Sequence, residues 1–479
     1  MISQKFDIQI VKELGFEPTT DQVQASALLS AFITGDNVDR FRSPVMILRG
    51  YAGTGKTSLI GAFVRALARY QHKSVLLAPT GRAAKVFSFY AKKQASTIHK
   101  KIYRQKSGKE YNSSFVVDKN LHKQTVFIVD EASMIADRGT GDNIFGSGNV
   151  LSDLIQFVYS GEGCRLILIG DVAQLPPVGL SLSPALREQV LEGFGLQAMV
   201  YTLRQVVRQT KYSGILLNAT RLRQQLVDKN YEIPKIVLDG FNDIERIPGN
   251  EFVELLQNLY SKQGRSNVAV VTRSNKQANT YNMGIRNQVL WHESELTPND
   301  RLMVVKNNYF WAKDLQNTDF IANGDFVEVV SIRKYEEKFG YRFADVTLRP
   351  EDYDDVEIDV KIILNALSSE APGLSDRENQ QLFYAVEEKY SHIANRRNRF
   401  EAIKQDAYYN ALQVKFAYAM TCHKTQGGQW KHVYLDPGYI TEERLNREYL
   451  RWLYTAVTRA TEKLFLVNFN EWFFGGPST

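Results

Sequence analysis

An eight-residue segment near the N-terminus carries the clearest chemical signal of this sequence. It reads Gly50-Tyr51-Ala52-Gly53-Thr54-Gly55-Lys56-Thr57, directly after an apolar run and directly before a helical pattern. Glycines at this spacing let successive backbone N–H groups turn inward around phosphate oxygens. Lys56 supplies a point charge for the β- and γ-phosphates, and the Thr57 hydroxyl is a ligand for Mg²⁺. The segment therefore predicts a nucleoside triphosphate site.

Two carboxylates stand where such a site needs them. The apolar run Val126-Phe127-Ile128-Val129 ends in Asp130 and Glu131, so both side chains are expected at the polar end of a buried strand. Asp130 can hold a Mg²⁺-bound water, and Glu131 can accept a proton from an attacking water. This pairing predicts Mg²⁺-dependent hydrolysis of a γ-phosphoryl group, with ATP as the expected nucleotide.

Hydrolysis also needs groups that stabilise the developing charge. Gln174 follows the strand-like run Leu168-Ile169-Gly170-Asp171, which places it at the carboxyl edge of a sheet, where ligands bind in open α/β folds. Arg208 and Arg459 could reach the phosphates as arginine fingers. Taken singly, an arginine is more often a surface ion-pair residue, so the residues alone leave both interpretations open.

Short apolar runs without polar alternation indicate the elements that position these groups. Runs of this kind suit strands that are buried on both faces of a parallel sheet. Two clusters of them, mixed with helical patterns, predict two α/β cores. The runs are 45–48, 74–78, 126–129 and 166–169 in the first cluster, and 268–271, 416–419, 432–435 and 464–467 in the second.

The second cluster is interrupted by a stretch of different character. From about Thr297 to Asn410 the sequence becomes alternating and turn-rich, as in residues 323–330. This pattern predicts a β-rich insertion. A helix is expected after it, around Gln380 to Leu412.

Length and composition limit the class of protein. A chain of 479 residues exceeds what one hydrophobic core usually serves, and its 44% hydrophobic and 23% charged composition excludes a disordered, collagen-like or coiled-coil protein. No apolar run approaches the roughly 18 residues of a membrane span. Cys164 and Cys422 are the only cysteines, too few for a disulfide framework. We therefore expect no membrane contact and a reducing, cytoplasmic location.

Positive charge is concentrated in one segment. The net charge is +6, and residues 100–123 carry seven lysines and arginines against two acidic residues, together with Tyr103, Tyr111 and Phe115. A polyanion could lie along such a segment. Charge alone leaves a solvated surface loop as the alternative.

Taken together and in order, these motifs resemble those of superfamily 1 helicases of the RecD-like group, which includes the Dda-type and Pif-type enzymes. The match runs through most of the chain. Its segments are Thr20-Asp21-Gln22, the phosphate segment, Ala78-Pro79-Thr80-Gly81-Arg82-Ala83-Ala84-Lys85, Ser96-Thr97-Ile98-His99-Lys100, Asp130-Glu131-Ala132-Ser133-Met134, Gly170-Asp171-Val172-Ala173-Gln174-Leu175-Pro176-Pro177-Val178-Gly179, Val207-Arg208-Gln209, Thr421-Cys422-His423-Lys424-Thr425-Gln426-Gly427-Gly428 and Tyr454-Thr455-Ala456-Val457-Thr458-Arg459-Ala460.

The resemblance implies two RecA-like, parallel-sheet cores with ATP between them and one DNA strand crossing both. Residues 1–199 would form the first core, with a small basic β-hairpin at 100–124. Residues 200–296 and 411–479 would form the second core. Residues 297–410 would be an SH3-like β-rich insertion with a helical extension.

The resemblance also assigns roles to single residues. Gln22 would read adenine, Gly428 would line the nucleotide site, and Arg208 and Arg459 would be the two arginine fingers. The expected contacts with DNA are Thr80, Arg82, His99, Lys100, Lys101, Thr421 and His423.

In function, the resemblance implies an ATP-dependent helicase that moves 5′→3′ on single-stranded DNA and opens forked or tailed duplexes. We expect a compact, monomeric motor without the extra N-terminal domain of some long RecD-like proteins, and protein partners in replication or repair. The alternative is a P-loop ATPase that remodels a protein or RNA substrate without a DNA track. Its turnover would not respond to DNA.

Overall fold

The computed structural model describes residues 2–35, 42–105, 115–137, 146–206, 212–314, 321–351 and 356–475. In these ranges the strands form two parallel sheets, one closed barrel and one short antiparallel pair. This arrangement confirms the predicted fold class of two α/β cores with a β-hairpin and a β-rich insertion.

The first sheet has six strands in the order β3-β2-β6-β7-β1-β8, all parallel within the described chain. Its four predicted strands are β1, β2, β6 and β7. The elements of this part are α1 (Ile2–Leu14), α2 (Thr20–Thr34), β1 (Ser43–Gly50), α3 (Lys56–Arg69), β2 (Lys73–Ala78), α4 (Gly81–Ala91), β3 (Ala95–Thr97), α5 (Ile98–Ile102), β4 (Tyr103–Gln105), β5 (Phe115–Val117), β6 (Thr125–Val129), α6 (Val150–Tyr159), β7 (Arg165–Gly170), α7 (Glu188–Gly193) and β8 (Leu196–Leu203).

Strand β1 shows why the apolar runs do not alternate. Met46 and Leu48 pack on the side of α1, α2 and α3, whereas Val45 and Ile47 pack on the side of α5, α6 and α7. All four side chains are fully buried because helices cover both faces of the sheet. The carboxyl ends of β1, β6 and β7 therefore meet at one edge and deliver the loops that follow them.

The second sheet has five strands in the order β16-β10-β17-β18-β9, again all parallel in the residues described. The helices α8 and α13 pack on one of its faces, and α9 and α10 pack on the other. The elements are α8 (Gly214–Asp228), β9 (Ile244–Ile247), α9 (Phe252–Gln263), β10 (Val268–Thr272), α10 (Asn275–Gly284), β16 (Ala419–Thr421), β17 (Trp430–Leu435), α13 (Arg447–Val457) and β18 (Ala460–Val467).

The insertion folds as a closed five-stranded barrel. A buried ion pair ties it to the second core, since Arg286, just after α10, meets Asp300 at 2.9 Å where the barrel begins. The elements are β11 (Arg301–Val304), β12 (Phe326–Lys338), β13 (Tyr341–Pro350), β14 (Ile358–Ile363), α11 (Asp376–Lys389), α12 (Arg396–Lys404) and β15 (Leu412–Phe416).

Two predicted elements differ from the structure. The run 416–419 is not one strand, because β15 ends at Phe416 in the barrel and β16 starts at Ala419 in the second sheet. The helix predicted around 380–412 is instead α11 and α12, and the Asn395 side chain caps the second of these by accepting from the N–H groups of Arg397 and Asn398. Strand β15 lies beyond residue 411, where we had placed the second core, so the exact domain boundaries stay a proposal.

The predicted hairpin is present as β4 and β5, which pair antiparallel from Tyr103 with Val117 to Gln105 with Phe115. Its tip, including Lys106, Lys109 and Tyr111, lies outside the described residues. Among the described helices, none has the length and apolarity that crossing a bilayer requires.

Candidate nucleotide cleft and strand groove

The phosphate segment forms a tight loop between β1 and α3. Gly53 and Gly55 have φ angles of +77° and +74°, a region that glycine enters without strain. A Cβ atom on Gly50 would lie 2.7 Å from the Lys56 Cγ atom, so the loop closes only around glycine. The Lys56 Nζ atom donates to the Tyr51 carbonyl at 3.0 Å. Left-handed glycines of this kind turn backbone N–H groups into a concavity that binds anions.

Asp130 and Glu131 follow β6 and lie beside this loop. Burial and the neighbouring Glu131 raise the pKa of Asp130 to about 7, while the Thr57 hydroxyl donates to its carboxylate. Glu131 has a φ of +51°, an uncommon conformation for a non-glycine residue that occurs preferentially at functional sites. A buried carboxylate next to a hydroxyl is a ligand set that Mg²⁺ accepts. Thr57 and Asp130 therefore fit the ion predicted for them.

Gln174 completes the first-core wall of a cleft between the cores. Its side chain is buried, and its Oε1 atom has no hydrogen-bond partner in the part of the chain described. Buried acceptors are normally satisfied, so this atom is poised for a donor that enters the cleft. Residues lining the cleft include Tyr51, Ala52, Gly53, Gly55, Lys56, Thr57, Asp130, Glu131, Gln174, Gly427, Gly428 and Arg459.

The second core contributes Arg459, which follows α13 and is 3% exposed. Its guanidinium group donates to the Thr455 carbonyl at 2.9 Å, to the Gly428 carbonyl at 3.0 Å and, more weakly, to the Thr425 carbonyl and the Thr458 hydroxyl. These contacts use four of its five N–H donors. Arg459 thus lies in the cleft wall, where contacts within its own core hold it, and its role as an arginine finger stays a prediction.

The residue predicted to read adenine lies beneath the phosphate loop. Gln22 is fully buried under the loop, where its Nε2 donates to the Thr54 carbonyl at 3.2 Å and its Oε1 accepts from the Thr19 N–H at 3.1 Å. Both ends of its amide are therefore occupied, and adenine reading stays a prediction. Arg208 lies outside the described residues.

A tyrosine that we did not single out joins the two walls. The Tyr454 hydroxyl, on α13 of the second core, donates to the Asp171 carboxylate at 2.7 Å and accepts from the Ala52 N–H at 2.8 Å. Burial and Asp171 raise the pKa of Tyr454 well above its usual value, so the phenol is neutral and keeps its proton for this bond. The bridge ties the phosphate loop to the second core directly.

Further hydrogen bonds cross between the cores nearby. The Thr455 hydroxyl accepts from the Leu175 N–H at 2.9 Å, and the Gln426 amide donates to the Leu175 carbonyl at 2.7 Å. Arg451 donates to the carbonyls of Val172 and Ser181. The segment after β7 is therefore the main first-core contact for α13.

A separate groove runs over both cores and under the barrel. Of the predicted DNA contacts, Thr80, His99 and His423 line it. Burial lowers the pKa of both histidines, so they are neutral at pH 7 and can donate or accept one hydrogen bond per ring nitrogen. The remaining lining residues are Pro79, Thr97, Met134, Pro176, Pro177, Val178, Asn307, Ala322, Asn323, Gly324, Lys424 and Gln426.

The environment of Arg82 differs from the one expected of a residue that contacts a DNA strand. Its guanidinium carbon lies 4.0 Å from the ring centre of Trp430 and 4.9 Å from that of Phe326, and it donates to the Gln429 carbonyl at 3.2 Å. The side chain therefore links α4 to the second core and the barrel. DNA contact by Arg82 stays a prediction.

The other predicted strand contacts surround the groove without lining it. Lys100 and Lys101 lie on α5, which the Thr97 hydroxyl caps by accepting from the Lys100 N–H at 3.2 Å. Thr421 is the last residue of β16. Their roles stay predictions.

Two family models match the chain, one in each half. Residues 36–233 match the AAA domain model, and residues 416–467 match the UvrD-like helicase C-terminal domain. The first range contains the phosphate loop, the carboxylate pair and Gln174, whereas the second contains Gly428, Tyr454 and Arg459. The chain is therefore similar to an AAA domain in its first half and to a helicase C-terminal domain in its second.

The known proteins to which the chain is similar are distant. An uncharacterised protein of Methanocaldococcus jannaschii is 24% identical over 90% of this chain, and the chain spans only 37% of its length. The ATP-dependent RecD2 DNA helicase of Deinococcus radiodurans is 28% identical over 41% of this chain and 24% of its own length. A crystal structure of a Bacteroides Pif1 helicase with ADP-AlF3 and single-stranded DNA covers 95% of this chain and 92% of its own, at 14% identity and a TM-score of 0.47.

Sequence reasoning missed three sets of residues at this site. Tyr454 and Asp171 both lie within recognised motifs, but the sequence does not show that their side chains form a hydrogen bond. Asn323 and Gly324 line the groove from the side of the barrel. From the sequence they were recognisable only as turn residues. Lys424 donates to the Asn323 side chain at 2.9 Å. It was missed because only its neighbour His423 was predicted as a DNA contact.

Proposed function

We propose that this protein is an ATP-dependent DNA helicase that moves 5′→3′ along single-stranded DNA and unwinds forked or tailed duplexes as a monomer. The observation that carries the proposal is the shared cleft. Lys56, Asp130 and Gln174 of the first core face Gly428 and Arg459 of the second across a space that continues from the phosphate loop.

The positions of these groups support a proposed task for each of them in ATP hydrolysis. The loop N–H groups and Lys56 would hold the phosphates, and Thr57 and Asp130 would hold Mg²⁺, which supplies charge neutralisation when bound. Glu131 would accept the proton of the attacking water, and the unpartnered Gln174 Oε1 would orient that water by accepting its second hydrogen. Arg459 would stabilise the charge that develops on the γ-phosphoryl group, as would Arg208.

Hydrolysis would be coupled to movement through the contacts between the cores. The same α13 carries Tyr454, which bonds to the phosphate loop, and Thr455, which bonds to the segment after β7. That segment continues into Pro176 and Pro177 of the strand groove. A change in the spacing of the cores at the cleft would therefore reach the groove through one continuous stretch of backbone.

Grip on the strand would be directed mainly to phosphates, since a motor must tolerate any base sequence. The groove fits this in part, because polar side chains of both cores and the barrel, such as Thr80, Asn323 and His423, are among the residues that line it. His99, Thr80 and His423 would donate to phosphate oxygens. The hairpin β4–β5 would meet the duplex. The same proposal includes protein partners in replication or repair.

ATP turnover with and without single-stranded nucleic acid tests the proposal. We expect oligo-dT to raise turnover at least about tenfold, and Lys56→Ala to abolish turnover while keeping most strand binding at low salt. Turnover that ignores oligo-dT would contradict a DNA motor and favour an ATPase acting on protein. Turnover that responds only to oligo-U would identify RNA as the track.

Direction needs its own measurement. We expect unwinding of duplexes with a 5′ single-stranded tail and little unwinding of duplexes with a 3′ tail. The opposite preference would reject the polarity while leaving the ATP-driven motor intact.

A further inference from the structure

A second cavity lies between the two cores, behind the nucleotide cleft. It has a volume of about 450 Å³, and its wall carries five arginines and one glutamate. Arg49 and Arg187 come from the first core, and Arg223, Arg447 and Arg451 from the second. Tyr51 of the phosphate loop lines both this cavity and the nucleotide cleft.

The positive charge of this cavity is only partly balanced in the described part of the chain. None of the five arginines forms an ion pair there, although Glu188 lies in the same wall. Among the lining residues five positive charges face one negative charge, and Asp171, just outside the lining, acts on Arg451 with a second negative charge. Charges of one sign in a concave, partly desolvated wall create a strong field that attracts counter-ions.

Arg451 is the most deeply buried of the five arginines. Arg451 is 5% exposed, and its Nε atom has no hydrogen-bond partner among the described residues. Burial and the nearby Arg447 lower its pKa to about 10. Buried donors are normally satisfied, so an acceptor within the cavity would complete the site.

The other arginines are arranged around that position. Arg49 donates twice to the Leu186 carbonyl, at 3.1 and 2.7 Å, which fixes its guanidinium group in the wall. Arg223 stacks on the Tyr51 ring at 4.5 Å. Arg187 and Arg447 are exposed at the rim, one from each core. The cavity thus has a fixed inner wall and an adjustable entrance.

We propose that this cavity binds a small polyphosphate anion, either inorganic or part of a nucleoside polyphosphate. Guanidinium groups match phosphate oxygens in pairs of hydrogen bonds, and several convergent arginines suit a ligand with more than one phosphate. The aliphatic side chains of Leu182, Leu226 and Val227 in the same wall leave room for a nucleoside. A nucleic-acid strand fits less well, because this cavity shares no lining residue with the strand groove.

Such an anion would bridge the cores. Arg187 of the first core and Arg447 of the second would hold the same ligand, which would oppose separation of the cores after hydrolysis. Slower turnover is therefore the expected consequence, and this second step rests on the proposed function. Binding itself does not depend on it.

Calorimetric titration of the full chain with inorganic tripolyphosphate tests the binding. The Lys56→Ala background weakens competing binding in the nucleotide cleft. In this background we expect binding that Arg187→Ala/Arg447→Ala weakens by about tenfold or more, since two charge-assisted contacts are lost. Arg377→Ala, an exposed arginine on α11, is the matched control and should leave the affinity unchanged. Binding that is equally strong in the double variant would overturn the proposal.

Two further titrations distinguish the source of the phosphates. A nucleoside triphosphate that binds more tightly than tripolyphosphate, again with loss in the double variant, would identify the nucleoside form. Equal affinity would identify the inorganic form. If oligo-dT displaces tripolyphosphate from the Lys56→Ala protein, the cavity belongs to the nucleic-acid path and the proposal is wrong.

Turnover measured on the otherwise native chain separates this proposal from the proposed function. We expect tripolyphosphate, with Mg²⁺ held in excess, to lower the ATP turnover of the native chain more than that of Arg187→Ala/Arg447→Ala. Equal inhibition of both would mean that the anion acts only at the nucleotide cleft. A protein that binds tripolyphosphate through these arginines but has no DNA-stimulated turnover would refute the motor and keep the site.

Discussion

The two walls of the nucleotide cleft are built in opposite ways. On the first-core wall, Gln174 has a buried acceptor without a partner, and Asp130 is a buried carboxylate with a raised pKa. On the second-core wall, Arg459 is just as buried, but contacts with its own core use four of its donors. One wall is incomplete without a ligand, and the other is nearly self-sufficient.

This difference suggests how labour is divided between the cores. The first-core groups can bind and activate a ligand at any distance between the two cores, because their own surroundings already favour ligand binding. A guanidinium group held by backbone carbonyls moves only with its own core. Its distance from the phosphates therefore depends on how close the second core is to the first. Substitutions on the first wall should therefore affect chemistry alone, whereas those on the second should affect chemistry and stability together.

Among the substitutions that compare the two walls, the largest effect is expected from Glu131→Gln, which keeps the size of the side chain and removes the base. ATP turnover should fall by about 10³-fold, within the range for loss of a general base, with little change in the free energy of unfolding. Steady-state hydrolysis and denaturant unfolding measure the two quantities. Glu254→Gln, at an exposed position on α9, is the matched control. Near-normal turnover of Glu131→Gln would assign the base to another residue.

A smaller loss is expected from Gln174→Ala, because this change removes one orienting acceptor. Turnover should fall by about 10²-fold while the apparent affinity for ATP changes little. Stability should stay the same or rise slightly, since a buried unpartnered acceptor is removed. Marked destabilisation would show that Gln174 has a structural partner and would remove the contrast between the walls.

Arg459→Ala should show the opposite combination. We expect turnover to fall by about 10-fold to 100-fold and the free energy of unfolding to fall by about 2 kcal/mol, because the carbonyls of Thr455 and Gly428 lose a charged donor. Arg444→Ala, an exposed arginine of the same core, controls for loss of charge. Lower turnover at unchanged stability would mean that the contacts within the core are dispensable.

The sequence predicted best what depends on neighbouring residues. The strands β1, β2, β6 and β7 were recognisable because both their faces are buried. The loop at residues 50–57 was recognisable because its glycines and its lysine must be close in sequence. Strands β8 and β9 were missed because their patterns, with many half-exposed or exposed residues, resemble those of surface segments.

Contacts between distant residues could not be predicted in the same way. Arg82 has the sequence setting of a strand contact, yet it stacks on Trp430, nearly 350 positions away. The run 416–419 is uniformly apolar, and only the closure of the barrel decides that the chain changes sheets within it. When a barrel strand and a sheet strand both require apolar residues, the residue types in the run cannot show where one strand ends and the other begins.

The smallest effect tests the bond that joins the two walls. Tyr454→Phe keeps the buried ring and removes the hydroxyl that links Asp171 to the Ala52 N–H. Loss of this bond should weaken the closed arrangement by about 1 kcal/mol, which corresponds to about a fivefold rise in KM for ATP. At saturating ATP, kcat should change little, because the nucleotide then closes the cleft. A fall in kcat without a change in KM would mean that Tyr454 acts on chemistry instead.

A double-mutant cycle separates this bridge from simple packing. Asp171→Asn alone should also raise KM, and combining it with Tyr454→Phe should add less than the sum of the single effects, because both remove the same bond. Thr455→Val, which removes a different bond between the cores, should add its full effect to that of Tyr454→Phe. If Tyr454→Phe and Asp171→Asn were additive, the hydroxyl and the carboxylate would act independently, and the phosphate loop would sense the second core by some other contact.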